Sequence, residues 1–166
     1  MLRNIYMIKV LIAILALAAY TPANAIGPVK APNFLTLVAN AVPPDDGNVR
    51  IAGKAEMLPD TKGYSRIRSY TFHNPFLRGV LVITDKAILF QQWDKKTGTY
   101  DIVKRIPISD IRTVTQDSYR NKGNRLVIQK SDYSYDSFDF VNSVMIDAEM
   151  NEQAFILLNT LINNSK

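Results

Sequence analysis

The sequence predicts an α+β fold that is mainly β: a bent antiparallel seven-stranded sheet, or partly open barrel, capped by a C-terminal α-helix. Three observations predict it. Short apolar stretches recur from Ser65 to Asn142, several with strand-like alternation, punctuated by Gly, Pro, Asn and Asp. The run GVLVITDKAILF, Gly79 to Phe90, crowds β-branched Val80, Val82, Ile83 and Thr84 together, which disfavours a helix. From Asp147 onward there is neither Pro nor Gly, and Ala154, Phe155, Leu158, Leu161 and Ile162 form an apolar stripe at helical spacing.

The chain of 166 residues is 47% hydrophobic and 21% charged, the composition of one globular domain. Its net charge of +5 is spread through alternating acids and bases, so a solvated surface is expected and a nucleic-acid tail is not. The absence of cysteine removes thiol catalysis, Cys-ligated zinc, iron–sulfur clusters and thiol acylation from consideration.

The first 25 residues read as a leader. Arg3 and Lys9 flank the start of an apolar run, Val10 to Ala19, and Ala23 and Ala25 then occupy the small-residue positions before a cut. This is a secretory signal-peptide pattern. The run is shorter than the about 20 apolar residues a membrane helix needs, so cleavage is expected rather than an uncleaved anchor. Met7 is an alternative start. The expected organisation is a leader at 1–25, an extension with a short helix at 26–63, and the β domain at 64–166. A leader and no cysteine imply export, to the periplasm or medium of a bacterium.

Element by element, Asn33 to Val42 places Phe34, Leu35, Val38, Ala41 and Val42 on one side of a helix, with Asn33 as N-cap and Pro43–Pro44 as terminator. Asn48 to Gly63 reads as a connection with one short strand or helical turn around Ile51–Met57. Ser65–Phe72 is the first strand. Gly79–Thr84 and Ala87–Gln92 form a hairpin turned at Asp85–Lys86. Trp93–Thr99 is a loop, and Tyr100–Ile108 is a strand that Pro107 ends or confines to an edge. Ser109–Gln116 continues extended, Arg125–Lys130 and Phe138–Asn142 are strands, and Ser131–Ser137 is a polar aromatic loop. Asp147, Glu149 and Glu152 lie in the first turns of the final helix, where the dipole favours them.

GVLVITDKAILF resembles the G-x-L-x-[LI]-T-[DN]-x-x-[LI]-x-F hairpin of GRAM and bacterial pleckstrin-homology-like (PH-like) domains. IPISDIRTV, Ile106 to Val114, is similar to their I-P-L-x-D-I-x-x-V stretch. The resemblance spans about three-fifths of the chain, Tyr64 to Asn163. It implies that Leu81, Ile83, Ile88, Phe90, Ile106, Ile108 and Ile111 face the core, and that Gly79 permits a close backbone approach. Val80, Val82, Ala87 and Leu89 then face outward as an apolar stripe that needs a cover. The Phe34–Val42 segment or a second copy of the chain would supply it, so a homo-oligomer is one expectation.

The strand order implied by the resemblance gathers the loops after the first, third and sixth strands at one end. Candidate ligand-binding residues there are Arg66, Arg68, Arg78, Trp93, Lys95, Lys96, Tyr133 and Tyr135, with His73 beside them. Cations mixed with aromatic rings suit an anionic headgroup or an acidic peptide. His73 is the single histidine and has no G-x-S-x-G nucleophile elbow to serve; a two-histidine metal site is excluded. Asp45 and Asp46, or Asp132, Asp136 and Asp139, lack the spacing of a calcium loop and read as solvated loops. No cofactor, metal or nucleic acid is expected. The leading expectation is an exported, non-catalytic module that binds another envelope or extracellular protein or an anionic envelope component. The alternatives are attachment to an anionic lipid surface and a small secreted hydrolase using carboxylates.

Overall fold

A computed structural model describes residues 26–61, 76–118, 124–142 and 145–165. After a short helix α1 (Phe34–Asn40) and a 3-10 turn (Pro44–Asp46), the strands are β1 (Val49–Thr61), β2 (Leu77–Thr84), β3 (Ala87–Asp94), β4 (Thr99–Pro107), β5 (Ile111–Ser118), β6 (Asn124–Lys130), β7 (Tyr135–Asn142) and β8 (Met145–Ile146). A second 3-10 turn (Ile108–Asp110) joins β4 to β5, and helix α2 (Ala148–Asn164) closes the chain. All pairings are antiparallel, in the order β4-β3-β2-β1-β7-β6-β5, with β8 beside β7.

The expected hairpin is there. Ile83 pairs with Ile88 and Leu81 with Phe90 across the turn at Asp85–Lys86. Thr84 locks that turn: its hydroxyl oxygen accepts from the Ala87 N–H at 3.0 Å while its O–H donates to the Ala87 carbonyl at 3.1 Å. Asp85 fastens the turn to the chain entering β1, accepting from the Asn48 N–H at 3.0 Å and pairing with Arg50 at 2.7 Å. The Thr-Asp of the sequence motif is thus a clasp between β1, β2 and β3.

The largest difference from the sequence reading is β1. Val49–Thr61 lies within the stretch read as an extension and connection, yet it forms a strand at the middle of the sheet. It pairs with β2 through Met57↔Leu77 and with β7 through Ala55↔Phe140. Small residues hide its alternation; at Gly53 the backbone lies close under α2, where a Cβ would fall 2.7 Å from Met150 Cε and 3.1 Å from Phe140 Cδ1. The strand expected at Ser65–Phe72 falls outside the described residues.

The sheet is not a closed barrel, because β4 and β5 stand at opposite ends of the strand order. The chain turns the corner between them through the Ile108 turn, and α2 packs against β5, β6 and β7. Asp147 caps α2, accepting from the Met150 N–H at 3.0 Å. Asn151, fully buried, accepts the Phe140 N–H at 2.9 Å and ties the helix to the end of β7.

Two apolar layers result. The inner one holds Leu81, Ile83, Ile88, Phe90, Ile106, Ile108 and Ile111, as the resemblance implied. Met57, Leu126, Ile128, Phe138, Phe140, Ala154, Leu158 and Ile162 complete it. Each fully buried side chain of this size contributes about 1.5–3 kcal/mol. The outer layer is the cover expected for the stripe: Phe34 and Val38 of α1 pack on Val80, Val82, Ala87, Leu89 and Tyr100. One expected face is corrected: Leu35 points away from the α1 contact and is exposed, because it lies outside the arc that helix turns to the sheet.

The segment 26–48 runs as a strap along the outer face of β2, β3 and β4. It begins at Tyr100, whose hydroxyl donates to the Ile26 carbonyl at 2.8 Å. Midway, Gln91 Nε2 donates to the Val38 carbonyl at 3.4 Å. At the far end the buried Asp46 carboxylate takes the Arg105 guanidinium in a fork, with Nε 3.1 and 3.0 Å from its two oxygens.

Candidate binding end

The antiparallel order fixes which connections share an end. β1, β3 and β6 finish, and β2, β4 and β7 start, on one side of the sheet, so the strand ends joined by the connections β1–β2, β3–β4 and β6–β7 gather there. This is the grouping expected for the candidate site. Of its residues, Arg66 and Arg68, together with His73, lie outside the described residues, as do Ala23 and Ala25.

Lys95 and Lys96 are exposed in the β3–β4 turn. Asp94 shapes that turn: its carboxylate accepts the Lys96 N–H at 2.8 Å and its carbonyl the Gly98 N–H at 2.9 Å. Gly98 takes the left-handed backbone (φ +69°) that lets so short a connection close.

Trp93 is not on the rim. It stands in β3 rather than in a loop, its ring edge-on to Tyr100 at 5.1 Å. The strap lies over both, so close that a Cβ on Gly27 would fall 2.9 Å from Trp93 Cβ and 2.6 Å from Tyr100 Oη. Burial pushes the Tyr100 hydroxyl up to about 12, so it remains a donor at neutral pH. Arg78 projects from β2 but donates from Nε to Glu56 Oε1 on β1 at 3.0 Å.

Tyr133, in the β6–β7 turn, is 63% exposed and holds φ +64°, a backbone region unusual for a bulky residue. The Arg112 guanidinium sits 4.5 Å from its ring centre. Tyr135 opens β7 rather than lying in a loop, and Gln129 Nε2 donates to its hydroxyl at 2.7 Å.

The Asp132, Asp136 and Asp139 set is taken apart by the fold. Asp132 serves its own turn, accepting from Ser134 N–H at 3.0 Å, and the hydrogen bonds from Ser134 hold its carboxyl below the usual range. Asp136 points inward with Phe138 and Phe140, where Lys104 and Lys130 approach it at 3.3 and 3.1 Å. Asp139 points outward and is buried against Arg125 at 2.6 Å. Desolvation raises its carboxyl, Arg125 pulls it back down, and Glu56 adds to the rise. Sequence reasoning missed the Lys104–Asp136–Lys130 and Arg125–Asp139 groups. The one available signal was the strand period in DSFDF, which puts Asp136 on the Phe138 face and Asp139 on the other.

No family model matches the sequence, and no curated protein matches it. Solved structures do match. The Vav1 exchange factor bound to an allosteric inhibitor aligns with a TM-score of 0.53 at 13% identity, over 72% of this chain and 28% of that one. A Vav1 structure reported for the structural role of its PH and C1 domains gives 0.50 at 12% identity, over 72% and 27%. The chain therefore spans little more than a quarter of these two Vav1 chains. The Slm1 PH domain in complex with phosphoserine aligns at 0.48 and 17% identity, over 69% of this chain and 96% of that one. With its open antiparallel sheet and C-terminal helix, the protein has a PH-like fold.

Proposed function

We propose that the chain is an exported, non-catalytic PH-like module of the GRAM and bacterial kind, which recognises an anionic component of the cell envelope. The non-catalytic reading rests on analogy of fold, PH-like domains being in general binding modules. The observation that carries the anionic partner is the exposed Lys95–Lys96 pair on the end where the three connections gather. Trp93 does not take part, being committed to the strap, so the contact is electrostatic rather than an aromatic insertion.

Co-sedimentation with anionic vesicles, and capture from an envelope fraction, test this reading. The double variant Lys95→Glu, Lys96→Glu should weaken the interaction by at least about tenfold, and added salt should suppress it. Binding that is indifferent to both changes would sink it.

A further inference from the structure

The strap begins at the cationic end. The Ile26 carbonyl is held by Tyr100 Oη at 2.8 Å, and Gly27 lies against Trp93 Cβ. Trp93 and Tyr100 face each other in the β3–β4 ladder, one pair below Asp94 and Thr99, which flank the turn carrying Lys95 and Lys96. At about 3.3 Å per residue, two residues of strand put Trp93, against which Gly27 packs, roughly 7 Å from the start of that turn. This is within a Debye length of about 8 Å at physiological salt. The hairpin itself is balanced, for Asp94 and Asp101 offset Lys95 and Lys96; Lys30 follows along the strap.

Ile26, the residue before which the leader is expected to be cut, therefore lies next to this end. Hydrolysis there by a leader-processing protease adds one water across the C–N bond, leaving a carboxylate on Ala25 and an ammonium on Ile26. We infer that this new α-ammonium, on the residue whose carbonyl Tyr100 holds, is the third cation of the Lys95–Lys96 site, and that leader removal completes a surface for anionic lipid headgroups. The inference rests on the proposed export and anionic partner, and adds that the processed N-terminus is part of the binding site.

The test starts from the full chain, expressed in an exporting bacterial host and collected after processing, with its N-terminus read by mass. Binding is measured to phosphatidylglycerol–phosphatidylcholine vesicles and to phosphatidylcholine alone. Selective acetylation of the α-amine at mildly acidic pH, where lysines stay protonated, should weaken binding to the anionic vesicles about fivefold, the effect of one charge at such a surface. Tyr100→Phe, which frees Ile26 but keeps its charge, should weaken it in the same direction. Equal binding before and after acetylation, or a processed chain that does not begin at Ile26, overturns the inference. If binding is unchanged by acetylation but lost in Lys95→Glu, Lys96→Glu, the anionic-partner reading stands without it. If neither form prefers anionic vesicles, both fall.

Discussion

Gly79 is where the sheet has no room for a side chain. A Cβ built on it lies 2.3 Å from the Gln91 carbonyl oxygen and 2.9 Å from two Phe90 ring carbons. Ordinary contact begins at 3.4 Å, so Gly79→Ala asks the backbone of β2 or β3 to retreat by about an ångström. Neither strand is free to do so. Gly79 pairs with Ala55 on one side, while Val80 pairs with Gln91 on the other, beside the register shift between Phe90 and Gln91. Overpacking costs about 1–3 kcal/mol, and a clash with backbone belongs at the upper end. The alanine recovers about 0.4–1 kcal/mol by restricting the unfolded chain, so the net loss is about 2–3 kcal/mol. At about 2–4 °C per kcal/mol for a chain of this size, the Tm should fall by roughly 5–10 °C. Gly98→Ala is the comparison: nothing lies within 4 Å of its Cβ and only its φ of +69° is strained. It should cost about 1–2 kcal/mol. Thermal and urea unfolding of the two variants measure the difference, and a Gly79→Ala protein melting with the parent would refute the reasoning.

Other outcomes follow from the strap and the turn clasp. Deleting residues 26–44 bares Val80, Val82, Leu89 and Tyr100, so the truncated protein should aggregate and bind a hydrophobic dye; a monodisperse, dye-silent truncation contradicts the cover. Asp85 is held below its ordinary 3.8, first by the Asn48 N–H and then by Arg50. A depressed carboxylate stabilises the fold above that range, and its contribution disappears as pH falls through the lowered value. Asp85→Asn should therefore melt below the parent at neutral pH and converge with it in acid; parallel curves throughout would argue against the clasp.

Much of the core was legible because the hairpin and the C-terminal helix carry their periods openly. Leu81, Ile83, Ile88 and Phe90 face inward as the resemblance of the hairpin implied, and Ala154, Leu158 and Ile162 form the buried stripe of α2. β1 was not legible, because Gly53 and Ala55 sit where large residues would have announced a strand; Gly53 lies close to Met150 of α2, and Ala55 pairs with the large Phe140 of β7. For the candidate site the ends of the strands group as expected, while Trp93 and Tyr135, expected in loops, belong to β3 and β7. Trp93 looked like a rim residue because a loop rich in Lys, Thr and Gly follows it, while its true partner, Gly27, lies far away in sequence. Asp136 and Asp139 looked like loop carboxylates because their partners, Lys104 and Arg125, sit on other strands.

By itself the sequence determined the local facts: where the main hairpin turns, that both of its faces are apolar so that its outer one needs a cover, and where the final helix runs. Those depend on residue spacing within a few positions. Only the tertiary structure decided that the cover is the chain's own α1, that the strap begins beside Lys95 and Lys96, and that Trp93 serves the strap. Each of these depends on distances between residues remote in sequence, and side-chain periodicity carries no information about those.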